Sequence, residues 1–93
     1  MAVTVYIPTP FRRATGNRDR IEASARDIVG VLDELEHAYQ GLRGLVRNEQ
    51  GEIHRHVNIY VNNRAIDDMG GLATELRDGD EVSIIPALAG GAA

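Results

Sequence analysis

The chain has 93 residues, 43% of them hydrophobic and 26% charged, and contains no cysteine; this is an ordinary single-domain composition, and disulfides, zinc–thiolate sites and a cysteine nucleophile are excluded. A net charge of −4 argues against nucleic acid, which selects a basic stripe able to release counterions from phosphates, and makes a basic partner easier to accommodate. No apolar run nears the roughly 20 residues that cross a bilayer, and the first seven residues lack a signal peptide's basic start and long apolar stretch, so a cytoplasmic protein without membrane contact is expected.

Val3, Val5 and Ile7 alternate with Ala2, Thr4 and Tyr6, the period of a strand with one face on a core. Pro8 and Pro10 end it, because proline cannot donate to a ladder. Residues 11–17 read as a loop closed by a turn at Gly16-Asn17. A polar strand over residues 18–23 follows, with Ile21 and Ala23 inward, so the first two strands predict an antiparallel hairpin.

Ser24 with Asp27 three residues on resembles a capping box, and Ile28, Val31, Leu32, Leu35 and Tyr39 keep helical spacing from Ala25 onward. Gly41 is the expected stop. Gly30 within this helix costs about 1 kcal/mol of propensity relative to Ala, which close approach to a sheet would explain. Residues 42–50 read as irregular.

Val57, Ile59 and Val61 predict a third strand, and Asn62-Asn63 a tight turn with φ above zero into a short return strand over residues 64–66. After a loop over residues 67–71, residues 72–76 read as one helical turn. Asp78-Gly79-Asp80 then turns the chain into a last apolar strand, Glu81 to Pro86. The order β-β-α-β-β-β in so short a chain implies an α+β roll, a mixed sheet of four to five strands with one main helix on one face.

Beyond Pro86 the sequence runs Ala87-Leu88-Ala89-Gly90-Gly91-Ala92-Ala93. A diglycine adopts almost any φ/ψ and passes where a side chain cannot, which suits a tail whose carbonyl is itself the reactive group. The strand order, the Asp78-Gly79-Asp80 turn, Pro86 and Gly90-Gly91 together resemble the β-grasp, ubiquitin-like sulfur carriers of the MoaD/ThiS type. The blocks Val3-Thr4-Val5, Ile7-Pro8-Thr9, His54-Arg55, the run from Val57 to Asn62, Gly70-Gly71-Leu72-Ala73-Thr74 and Ile85-Pro86-Ala87 look most like the branch of that family serving cysteine biosynthesis.

The resemblance implies a β-grasp domain over residues 1–86 and a tail over residues 87–93. It implies that the chain is a carrier rather than an enzyme, with no catalytic residue, metal or bound cofactor of its own. In such carriers the second glycine, here Gly91, is adenylated by an E1-like enzyme using ATP, and sulfur displaces AMP to give a thiocarboxylate that a sulfur-accepting synthase consumes. Ala87, Leu88, Ala89, Gly90 and Gly91 would thread into partner active sites. Family chains usually end at Gly-Gly, so Ala92-Ala93 resembles the extension that some members lose to a JAMM-type zinc metalloprotease cutting between Gly91 and Ala92. Phe11, Ile85 and Leu88 are expected to be exposed apolar anchors near the tail's exit. Asp78 and Asp80 are expected to dock against basic residues of a partner. Alternatives within reach of the same resemblance are a protein modifier conjugated through Gly91 and the small subunit of molybdopterin synthase.

Other constellations carry less. His54 and His56 would share a face of a strand, but no third ligand stands near them in sequence. Asp67-Asp68 reads as a solvated turn, and Gly70-Gly71 is followed by no Lys in the register of a phosphate loop. All ten basic side chains are Arg and none is Lys, so no side chain can form a Schiff base or accept an isopeptide bond.

Overall fold

Alternation builds the sheet as expected. In the computed structural model, which describes residues 2–86, Val3 and Val5 of β1 (Val3–Tyr6), Val57, Ile59 and Val61 of β3 (Val57–Val61), and Val82 and Ile84 of β5 (Glu81–Pro86) are buried on one face. With β2 (Arg20–Ala23) and β4 (Arg64–Ala65) the strands form one five-stranded sheet in the order β2-β1-β5-β3-β4. The β1–β5 ladder is parallel and the others antiparallel, so this is the mixed sheet of a β-grasp roll.

The helix α1 (Ile28–Ala38) lays Ile28, Val31, Leu32 and Leu35 on the core. Each such side chain, fully buried, contributes about 1.5–3 kcal/mol. Asp27, not Ser24, is its N-cap: the Asp27 carboxylate accepts the Gly30 N–H at 2.8 Å. Ser24 is used differently, its N–H and hydroxyl both donating to Glu34, so the would-be cap pins the turn between β2 and the helix. Gly30 is explained by this same cap and not by the sheet, since a Cβ there would stand 2.8 Å from Ala25 Cβ and 2.9 Å from Asp27 Oδ1. The helix also ends before Gly41, with Tyr39 as C-cap. Gly41 lies in a 3-10 turn (Gln40–Leu42), where a Cβ would come 3.1 Å from Ala14 Cβ.

The expected loop after β1 is instead a 3-10 helix (Thr9–Thr15) entered from Pro8. Proline at its start has its φ already set and no N–H to lose, and Phe11 N–H donates to Pro8 O at 2.9 Å. Its buried Thr15 hydroxyl lies 3.1 Å from Arg12 O and 3.0 Å from Arg18 O, so the polar group is satisfied. Gly16 and Asn17, both at φ 65°, close the segment as predicted. Past Leu42, which closes the Gln40–Leu42 turn, residues 43–50 hold no helix or strand, as expected, yet Leu42 and Val46 join the core.

At the other end, Asn62 and Asn63 turn with φ of 50° and 71°, and Gly79 with φ of 88°. The return strand stops at Ala65 because Ile66–Asp68 coils into a 3-10 turn that buries Ile66. The predicted helical turn is a 3-10 turn over Gly71–Ala73, after which Leu76 N–H donates to Arg26 O and ties this segment to the start of α1.

Candidate functional site

β5 is central in the sheet and delivers the chain to the tail. Pro86 pairs with Val57, so β5 ends beside the first residue of β3. Residues 87–93 lie outside the described residues, and with them Ala87, Leu88, Ala89, Gly90, Gly91 and Ala92.

The helix covers the inner face of the sheet, and strand alternation puts a second set of side chains on the outer face. Ser83 is the register partner of Tyr6 on one side and Tyr60 on the other. The two tyrosines therefore flank a small residue, about 10 Å apart across two strand spacings. Ile85, two residues on and 49% exposed, faces the same way and pairs with Asn58. Apolar and amphipathic groups on the face next to the tail's exit are the kind that anchor interfaces. Tyr6 and Tyr60 were within reach of the sequence: their alternation with Val5 and Val61 already turns them outward.

Of the expected anchors, Ile85 is exposed as anticipated. Phe11 is not. It is 8% exposed and belongs to the core, because the 3-10 helix folds its side chain inward where a loop would have left it in solvent.

The acidic turn bonds to its neighbours at the surface. Asp78 Oδ1 accepts the Ala2 N–H at 2.8 Å, while Asp80 Oδ2 accepts the Arg77 N–H at 2.8 Å and Asp80 Oδ1 the Asn62 side-chain amide at 3.0 Å. Asn62 Oδ1 in turn accepts the Glu81 N–H at 3.0 Å. These bonds join the start of β1, the β3–β4 turn and the entry to β5, so the carboxylates also set the strand that leads to the tail.

His54 and His56 precede β3 instead of lying within it. Their rings stack with centroids 5.3 Å apart, and His54 Nε2 is 2.7 Å from Gly44 O. Among the described residues no group of three or more His, Cys, Asp or Glu is disposed to hold a metal. A surface depression of about 470 Å³ between α1 and the 43–49 segment contains Arg47. The Arg47 side chain, 12% exposed, meets Asp33 Oδ1 at 2.8 Å and Glu36 Oε2 at 3.0 Å. The Glu36 hydrogen bond, then that of Asp33, holds the guanidinium above its ordinary range against the lowering effect of burial. A triad so paired is a clamp between loop and helix.

A small roll whose central strand runs towards the C-terminal residues has known likenesses. The ThiS family profile matches residues 5–91. The chain belongs to the ThiS family. Its relatives include the sulfur carrier protein CysO of Mycobacterium tuberculosis, 45% identical across 98% of this chain and the whole of that protein. Another is small archaeal modifier protein 3 of Haloferax volcanii, 40% identical over 87% of this chain and 89% of that protein. Among solved structures, the BexX/CysO complex of Amycolatopsis orientalis matches with a TM-score of 0.89 and 38% identity, covering 96% of this chain and 99% of that one. This ThiS-family chain is thus similar along its length to a sulfur carrier protein. No helix among the described residues is long and apolar enough to cross a membrane.

Proposed function

We propose that the chain is a sulfur carrier charged at Gly91. After a JAMM-type zinc metalloprotease removes Ala92-Ala93, an E1-like enzyme adenylates the Gly91 carboxylate with ATP. Sulfur displaces AMP, and the thiocarboxylate donates its sulfur through a synthase to cysteine or another sulfur-containing metabolite. The observation that carries this reading is the family match running through Gly91 in a chain whose central strand β5 leads directly to the diglycine.

The chemistry suits the chain. A carboxylate is a poor electrophile until one oxygen belongs to a good leaving group, and a thioacid sulfur is a good nucleophile at neutral pH. Acid, base and metal can all reside on the partners, with ATP used by the activating enzyme and no cofactor bound by the carrier. The outer face around Tyr6, Tyr60 and Ile85 serves as the docking surface, and the tail from Ala87 to Gly91 threads into the partner's site. That a CysO forms a complex with BexX supports a protein partner of this kind.

A second reading, a modifier conjugated to targets through Gly91, is favoured by the 40% identity to an archaeal modifier protein. One experiment addresses both. The full-length chain and a chain ending at Gly91 are incubated with ATP, sulfide and an E1-like enzyme from the same host, then weighed intact. The shortened chain is expected to gain the mass of one oxygen replaced by sulfur and the full-length chain to stay unchanged. Equal pyrophosphate release from both forms would refute the processing step. With lysate of the same host added to the mixture, amide-linked adducts on host proteins and no thiocarboxylate would establish the modifier reading instead.

A further inference from the structure

An activated Gly91 carbonyl is an acylating agent carried on a protein surface, and the chain's own side chains are the nucleophiles nearest to it. Lysine and cysteine, the two side chains that capture acyl groups most readily, are both missing: all ten basic residues are Arg and Cys is absent. A guanidinium supplies the same positive charge but keeps its proton at any working pH and so has no lone pair to attack with. Serine, threonine and tyrosine hydroxyls are weak nucleophiles without an adjacent base, and an acyl group taken by imidazole is returned to water.

The fold adds a second layer. Because β1 and β5 are parallel and Thr4 is level with Glu81, the start of β1 lies at the opposite end of the sheet from Pro86. Seven residue steps separate Pro86 from the level of Ala2, about 23 Å at strand rise. Five residues from Ala87 to Gly91 reach at most about 17 Å, and they would have to double back.

Exposed cations stand towards the Pro86 end of the sheet: Arg20, level with Ser83 through Tyr6, on one side, and Arg55 on the other. Arg55, solvent-accessible, is two residues before Val57, the partner of Pro86. It therefore lies within about 7 Å along the chain of Val57, which stands about 5 Å across the ladder from Pro86, the last described residue. A cation is present there, and it is one that cannot be acylated. Arg77, also exposed, precedes the turn into β5 and lies at the far end.

We propose that this chain is a self-inert acyl carrier: Arg in place of Lys, above all at Arg55, keeps the activated Gly91 from being captured by its own domain or by another copy through a side chain, so that discharge waits for a partner's nucleophile. The proposal rests on Gly91 being the activated group. It also predicts that any conjugates made through Gly91 carry single copies, never side-chain-linked chains of this protein.

The test bypasses the activating enzyme, so it stands apart from the test of activation itself. A chain ending at Gly91 is prepared as a C-terminal alkyl thioester and incubated dilute at mildly alkaline pH, alongside Arg55→Lys and Arg77→Lys, each first shown to melt like the parent. In capture, the amine nitrogen adds to the Gly91 carbonyl carbon, the C–S bond breaks, and the departing thiolate takes the amine proton, leaving an amide. The parent and Arg77→Lys should give only the hydrolysed carboxylate by intact mass. Arg55→Lys should give a species one water lighter than that acid, at a rate independent of protein concentration. An isopeptide product in the parent, its absence in Arg55→Lys, or equal yields from the two lysine variants would overturn the proposal.

Discussion

The Gly30 N–H donates to the Asp27 carboxylate at 2.8 Å, and a methyl group on Gly30 would stand 2.9 Å from that same oxygen. Glycine and cap are therefore one device. Gly→Ala within a helix ordinarily gains about 1 kcal/mol, but here the cap or Ala25 would have to move. Gly30→Ala is expected to destabilise by about 1–2 kcal/mol, and Asp27→Ala by about 1 kcal/mol. Urea denaturation of the singles and the double should give a double-mutant loss smaller than the sum, since removing the carboxylate relieves part of the clash. A stabilised Gly30→Ala would show that the cap yields freely.

Phe11→Ala should act on folding. A nearly buried phenylalanine replaced by alanine typically costs 3 to 5 kcal/mol, roughly, a large share of the stability of about 5–15 kcal/mol usual for a domain. The thermal midpoint should fall sharply. A variant that melts like the parent but binds partners weakly would return Phe11 to the surface.

Asp80→Ala should likewise register as stability, because it removes the acceptor shared by the Arg77 N–H and the Asn62 amide. A loss of about 0.5–1.5 kcal/mol is expected, since water can replace the lost acceptor at these exposed donors. Should its only effect be a slower association with a basic partner, the carboxylate's role would be docking after all.

What the sequence made legible and what it did not divide along the range of the interactions. β1 and β3 betray themselves through a period of two, so Val3, Val5, Val57, Ile59 and Val61 were readable without neighbours, whereas β5 was readable only as an apolar run after a turn. The turns at Asn62-Asn63 and Gly79 were readable because positive φ selects Asn and Gly. The choice between Ser24 and Asp27 as cap was not, since both are good caps and the decision falls to Glu34, ten residues on from Ser24. Phe11 was misread for a similar reason: a Pro-flanked aromatic looks like loop until the core that receives it is assembled. The diglycine signature is contiguous and so was visible at once. The Tyr6–Ser83–Tyr60 row exists only once β1, β5 and β3 are laid side by side.

Ile85→Ala should separate binding from folding in the opposite sense to Phe11. Half-exposed on the outer face, Ile85 contributes little to the core, so stability should change by less than about 1 kcal/mol. Affinity for the activating enzyme should weaken by about 1–2 kcal/mol, roughly 5- to 30-fold in Kd. Calorimetric titration beside a thermal melt reads both. Unchanged affinity would remove the outer face from the interface.

Gly90→Ala and Gly91→Ala test the tail directly. Each adds one methyl group beyond Pro86, where β5 ends, so folded stability should change by less than about 0.5 kcal/mol, as for an ordinary surface substitution. A tail that enters a partner's active site passes a channel shaped for backbone, and the added methyl both narrows the fit and forbids conformations open to glycine. Thiocarboxylate formation should therefore fall steeply while the melt stays put. The paired measurement uses chains ending at residue 91, comparing thermal midpoint with conversion to the sulfur-for-oxygen mass under identical enzyme and ATP. Undiminished conversion in both variants would mean that the partner reads neither glycine, and the chemistry assigned to Gly91 would have no structural basis in its side-chain-free backbone.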